Sequence, residues 1–213
     1  MTNLLEQSWN NFDKEYAKKY LHYFPKQLHN FAVEHIFRTK NNPSIIDVGC
    51  GNCQLYNIIE NFRRDFSYTG IDWSTPLLDS FDYKNKNNCE IICGDILKEE
   101  TYKKKYDCAV VSHIVELVDS PEKLFYMLSK NVEYIYVIWY EYPRFDFSHY
   151  ELKNYVNSFN EEKNIFSPYL RSKLSQDYFN FILQKNNLII EEKIAMSEKD
   201  ILTIIKSKDM KKC

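Results

Sequence analysis

Apolar residues recur at helical spacing through the N-terminal part of the chain. Trp9, Phe12, Tyr16, Tyr20, Tyr23 and Phe24 come first, and Leu28, Phe31, Ala32, His35 and Ile36 follow after a break near Pro25. This predicts two short amphipathic helices between residue 4 and about residue 38. From residue 44 the pattern changes. Segments 44–48, 66–72, 90–93, 106–112 and 134–140 are short, nearly continuous apolar runs, as expected of strands buried on both faces. Helical spacing returns between them, at 55–62, at 74–81 with Ser74 as N-cap and Pro76 in the first turn, and after Ser120-Pro121-Glu122-Lys123. Strict alternation of this kind predicts the α/β class, with a doubly wound, mostly parallel sheet built from right-handed crossovers. Residues 141–175 break the alternation with a stretch rich in Tyr, Phe and Asn, read as an insertion that carries one or two short helices and covers a site. A last helix is expected at 176–185, and strands at 188–194 and 201–206 complete a seven-stranded sheet as an antiparallel hairpin at its edge.

Composition narrows this picture. A chain of 213 residues forms one domain with one core. It exposes roughly 10,000 Å² when folded and roughly 37,000 Å² unfolded, so no disulfide or metal is needed to stabilise it. Lys and Arg number 28 against 30 Asp and Glu, and a net charge of -2 leaves no basic field for a long phosphate backbone. No N-terminal leader pattern and no apolar run of about 18 residues is present, which favours a cytosolic protein away from membranes. Six cysteines are therefore expected to be reduced, mostly structural thiols. Cys50-Gly51-Asn52-Cys53 has the spacing of a redox pair between a strand and a helix, although the glycines of that loop suggest another use.

Glycine is the most informative residue, since only four occur where average usage gives about 15. All four, Gly49, Gly51, Gly70 and Gly94, stand at ends of apolar segments in the first half of the chain. Asp47-Val48-Gly49-Cys50-Gly51 follows the first strand, where the backbone turns sharply and a ligand leaves no room for a Cβ. About 25 residues later Asp72 ends the second strand, where a carboxylate accepts hydrogen bonds from the two hydroxyls of a ribose. Gly94-Asp95-Ile96 ends the third strand on the same sheet edge.

Read together over residues 44–140, these segments resemble the class I S-adenosylmethionine-dependent methyltransferases. The glycine turn, an acidic residue ending the second strand, a Gly-Asp pair ending the third and a Tyr-Asp-apolar fourth strand occur in the family's order. The resemblance implies S-adenosyl-L-methionine as cofactor and S-adenosyl-L-homocysteine as product. It places Gly49, Cys50 and Gly51 along the methionine part, Asp47 near the amino group, Asp72 on the ribose and Trp73 on the adenine. Asp95 and the Ile96 amide would meet the adenine edge, and Ser112 and His113 would lie beside the sulfonium. Tyr16 is expected to close over the cofactor from a helical lid at 1–40. The rest of the domain then divides into a cofactor-binding half at 44–140, a substrate cap at 141–175 and a C-terminal helix and hairpin at 176–213. One departure is Cys53, which replaces the third glycine where the chain enters the helix. A nicotinamide dehydrogenase would need glycine at Gln54 and a larger substrate domain.

For the acceptor, Ser112-His113-Ile114-Val115-Glu116 resembles the His-x-x-Glu segment of methyltransferases acting on small molecules. The Asn/Asp-Pro-Pro-aromatic motif of nucleobase-amine enzymes, the Pro-Cys of cytosine C5 enzymes and the carboxylate cluster of metal-dependent catechol enzymes are missing, and no metal is expected. Methyl transfer needs alignment and at most one proton removed, so His113 is the candidate base or a pocket-lining residue, and Glu116 a structural contact on the following helix. Tyr140 and Tyr142 are expected to stack on a planar acceptor and Arg144 to clamp an anionic group. Tyr169, Arg171 and His149 are further candidates from the insertion. The reading is a monomer or homodimer that methylates oxygen or nitrogen of a small molecule. Methylation of RNA or protein, or a silent partner subunit that keeps the fold, are the alternatives.

Overall fold

The structure, a computed structural model, describes residues 26–82, 86–144, 146, 148–156 and 166–208, with the side chains of 26, 150–156 and 166–170 left aside. Strands β1 (Ser44–Val48), β2 (Ser67–Asp72), β3 (Cys89–Cys93), β4 (Tyr106–Ser112) and β5 (Val132–Trp139) are parallel, and β9 (Ile201–Ser207) and β8 (Leu188–Ala195) extend the sheet as an antiparallel hairpin. The order is β3-β2-β1-β4-β5-β9-β8. The chain leaves β1 in opposite directions, toward β2 and, later, toward β4. Asp47 consequently pairs with Gly70 on one side and Val110 on the other. Such a reversal opens a crevice beyond the carboxyl ends of the central strands.

Successive strand residues point to opposite faces, and two separate apolar clusters result. Ile45, Cys108, Val110 and Tyr136 pack with α1 (Lys26–Thr39) and α2 (Gln54–Phe62). Ile46, Ala109, Val111 and Ile135 pack with α4 (Pro121–Asn131) and α5 (Gln176–Lys185) on the other side. The sheet is therefore covered on both faces. Ser120 caps α4 by accepting from Lys123 N at 3.2 Å with Pro121 at its first position, and Ser175 caps α5 by accepting from Tyr178 N at 3.1 Å.

Two expectations are corrected. Helix α3 (Thr75–Leu78) is a single turn, because Ser80 and Phe81 donate back three residues, to Leu77 and Leu78, and tighten the chain out of the α pattern. In the insertion there are no helices among the described residues, and β6 (His149–Val156) and β7 (Phe166–Lys173) form a two-stranded antiparallel ribbon. Tyr150, Leu152 and Val156, and Phe166 and Leu170, fall on alternate positions, a period of two broken by Asn154 and Pro168 and by Tyr155 and Tyr169 on the other phase.

Candidate active site

The turn after β1 is left-handed at Gly49, with φ +72°, and at Gly51, with φ +54°. A Cβ on Gly49 would stand 2.3 Å from Ile114 Cδ1 and would push that side chain aside, in a backbone conformation that already favours glycine. The amides of Gly49 and Cys50 both donate to the Ile71 carbonyl, at 2.8 and 2.9 Å, which fixes the turn against β2. Cys53 stands outside the helix as the N-cap of α2, with φ +58°, a backbone conformation that favours the glycine it replaces. Its Sγ is 3.6 Å from that of Cys50.

Buried Asp72 accepts from Gly51 N at 2.9 Å through Oδ2 and from Ser74 N at 2.8 Å through Oδ1. A carboxylate offers about four acceptor sites, and with the Trp73 amide also bearing on it room remains for a hydroxyl donor from the crevice. Burial holds its pKa above the ordinary carboxylate range, against the opposing effect of those amides. Asp47, at the same end of β1, is buried and accepts from the Tyr68 hydroxyl at 2.6 Å; burial pushes its pKa up to about 7. Both carboxylates line one cavity together with Gly49, Cys50, Gly51 and Trp73. Gly94 and Ile96 continue that wall, whereas Asp95 turns back to accept from Leu97 N at 2.8 Å and does not line it.

At the far end of the cavity stand Ser112, His113 and Tyr140. The His113 and Tyr140 ring centroids lie 4.2 Å apart, and the Arg171 guanidinium lies over the Tyr140 ring at 4.8 Å. Burial, reinforced by His29 and Arg171, brings the His113 pKa down to about 3, so this ring is neutral at physiological pH. Glu116 lies in the turn before α4 rather than on it. Its Oε1 accepts from Tyr140 N at 2.8 Å and Glu141 N at 2.9 Å, and its backbone carbonyl accepts from Ser172 N at 2.7 Å. Complete burial pushes its carboxyl up to about 7. Behind it Glu141 pairs with Lys173 and, at 3.6 Å, with Arg171.

Not every anticipated residue reaches this cavity. Tyr142 is buried against Trp139 and Phe179, and Arg144 is on the surface 3.3 Å from Glu198; neither lines the cavity. Tyr16 lies outside the described residues, as do Tyr20 and the side chain of Tyr169. Motif reading missed His29, brought by α1 to 3.1 Å from Ser112 Oγ, and the apolar wall of Leu55, Ile58, Leu117 and Val118. Gln54 also lines the cavity, and its buried Nε2 has no hydrogen-bond partner among the described residues. A ligand that brings acceptor oxygens to this end and donating hydroxyls to Asp72 fits the unsatisfied groups. An amino acid joined to a nucleoside has both.

Comparison with known proteins agrees with this geometry. The profile of a methyltransferase domain family matches residues 46–131. Among solved structures, the glycopeptide N-methyltransferase MtfA is similar at 13% identity, over 84% of this chain and 90% of that one, with a TM-score of 0.61. The N-terminal domain of EvdMO1, solved with S-adenosylhomocysteine bound, is 12% identical over 84% of this chain and 81% of that one, with a TM-score of 0.61. The CcbJ methyltransferase from Streptomyces caelestis is 10% identical over 86% and 90%, with a TM-score of 0.66. At these identities the likeness is one of fold. No curated protein matches the chain.

Proposed function

We propose that this chain, a class I S-adenosylmethionine-dependent methyltransferase, methylates oxygen or nitrogen of a small, largely apolar acceptor held between the cofactor sulfonium and the His113–Tyr140 wall. One observation carries the proposal. A single cavity is lined by the glycine turn, Asp47 and Asp72 and by Ser112, His113 and Tyr140, and the side chains of Ile114, Leu117 and Val118 add apolar wall to it. When bound, the cofactor supplies an electrophilic methyl group on sulfur. The chain supplies alignment: Asp72 holds the ribose hydroxyls, Asp47 and Gln54 the amino-acid end, and Trp73 and Ile96 the adenine.

His113 acts as a neutral hydrogen-bond acceptor rather than a strong base. Its Coulombic neighbours, His29 and Arg171, and its burial all disfavour the imidazolium. It therefore points a lone pair of the acceptor hydroxyl or amine toward the methyl group while bulk water takes the proton after transfer. Tyr140, backed by Arg171, supplies the flat face of the pocket. Alignment of this sort accounts for a large share of the acceleration in a displacement that asks little other chemistry of the protein. Residues 141–175, which include the ribbon, are assigned as the acceptor cap.

Purified protein incubated with methyl-labelled S-adenosylmethionine and a cell extract separated by size tests the assignment. Label is expected in the fraction below about 1 kDa and extractable into organic solvent, as an apolar site of this size requires. Label confined to RNA or to protein would overturn it.

A further inference from the structure

We propose that Cys50 and Cys53 form a redox site in the glycine turn: in the cofactor-free protein hydrogen peroxide converts them to an intrachain disulfide, and this disulfide and the bound cofactor exclude one another. The two sulfurs are already 3.6 Å apart, and both cysteines are buried free thiols. Cys50 lines the cavity that would hold the cofactor, which on this proposal is the route by which hydrogen peroxide reaches it and which a bound cofactor closes. No part of the methyl-transfer chemistry uses either thiol.

Exclusion follows from how the turn is held. A disulfide requires sulfurs about 2.05 Å apart. Cys50 Sγ is seated over Gly70, 2.9 Å from where a Cβ on that glycine would stand, and β2 backs it there. The approach therefore falls on Cys53, the N-cap of α2, and on the Gly51-Asn52 link between the two cysteines. Gly51 N is the donor to Asp72 Oδ2, and Cys53 N donates to the Cys50 carbonyl at 2.8 Å, so pulling on this link displaces the ribose carboxylate's own support.

The reaction balances in two steps. Cys50 sulfur attacks one peroxide oxygen, the O–O bond breaks, and a sulfenic acid and one water form. Cys53 sulfur then attacks Cys50 sulfur, the S–O bond breaks, a second water leaves and the S–S bond forms. Two thiols are oxidised and one peroxide is reduced to two waters. Burial, together with Cys53, Asp47 and Asp72, pushes the Cys50 thiol well above its ordinary range, so the first step is slow and is followed over hours.

Trypsin isolates the pair, since residues 41–63 lie between Lys40 and Arg63 and contain Cys50, Cys53 and no other cysteine. The full chain is treated with hydrogen peroxide, with and without saturating S-adenosylhomocysteine, then alkylated and digested. In cofactor-free protein the 41–63 peptide is expected to appear unalkylated and lighter by two hydrogens; in the liganded sample both cysteines remain alkylatable. Calorimetric titration of the same samples with S-adenosylhomocysteine should show the binding-competent fraction falling in proportion to the disulfide and returning with dithiothreitol. Three results would overturn the proposal: a peptide alkylated at both cysteines after peroxide without ligand, a disulfide that leaves binding unchanged, or a binding loss that follows an oxygen-bearing form of the peptide instead.

Discussion

Replacing His113 with Asn tests whether burial keeps this imidazole neutral. Asparagine tolerates the left-handed backbone found at His113, where φ is +57°, and removes the titrating group. In the folded protein the His113 pKa is about 3, against an ordinary value of 6.5 in the unfolded chain. Below pH 6.5 the unfolded chain therefore binds a proton that the folded one refuses, and folding stability falls as pH falls. Between pH 7.5 and 5.5 the loss at this one residue is about 1.4 kcal/mol, and it grows by about that amount per further pH unit until the folded pKa is reached. Asp47 and Glu116 act in the opposite sense. Their folded values near 7 exceed the ordinary carboxylate range, so they raise stability as pH falls from about 7 toward 4. Both are present in wild type and variant alike and cancel in the comparison. Urea unfolding of the cofactor-free proteins, followed by tryptophan fluorescence at pH 7.5, 6.5 and 5.5, reads the difference directly. Wild type should lose about 1.4 kcal/mol more than His113→Asn over that range. Parallel pH dependences would mean that the folded imidazole protonates normally, and the neutral-acceptor role would fall with it.

Other consequences are simpler. Asp72→Ala should weaken S-adenosylhomocysteine binding at least about tenfold by calorimetry, through lost charged hydrogen bonds; an unchanged affinity would remove Asp72 from the ribose site. Gly49→Ala should destabilise the protein by at least about 1–2 kcal/mol, since its φ is +72° and the new Cβ meets Ile114; an unaltered urea midpoint would contradict the turn described. Glu116→Ala strips the acceptor from the amides of Tyr140 and Glu141 and should cost about 1–3 kcal/mol, whereas Glu116→Gln, which keeps an acceptor oxygen, should retain most of that stability. Equal losses in the two variants would show that the carboxylate's charge, not its acceptor, holds the loop.

The geometry at the ends of the first two strands was legible because it is local. The strand runs, the glycine turn and Asp72 each follow from neighbours within a few residues, and the strands lie within about two residues of their expected bounds. The acceptor side was less so. Tyr140 and Tyr142 would share a face if the strand continued, but β5 ends at Trp139, and the alternation that would have paired them no longer applies. Tyr140 therefore enters the cavity while Tyr142 joins the core beside Phe179. The arginine that meets Tyr140 is Arg171, returned by the ribbon, and not the sequence neighbour Arg144. His29 carries no motif at all; it reaches Ser112 only because the apolar face of α1, at Leu28, Ala32 and Ile36, packs on the sheet beside β4.

This division has a physical origin in what each half must recognise. On the proposed reading, a fixed donor molecule would be met by backbone amides and two carboxylates at strand ends, positions that the sheet itself sets once the strands are paired. The acceptor wall instead joins a turn after β4, the end of β5 and the last residues of β7, and Glu116 is where they meet. Its side chain takes the two amides at 140 and 141 while its own carbonyl takes the amide of Ser172. Because that carboxylate's hydrogen bonds go to main chain rather than to the side chains lining the cavity, substitutions at Tyr140 or Leu117 can change the wall's chemistry without undoing its support. On the proposed assignment, the fold thereby separates the residue that ties these three segments together from the side chains that line the cavity.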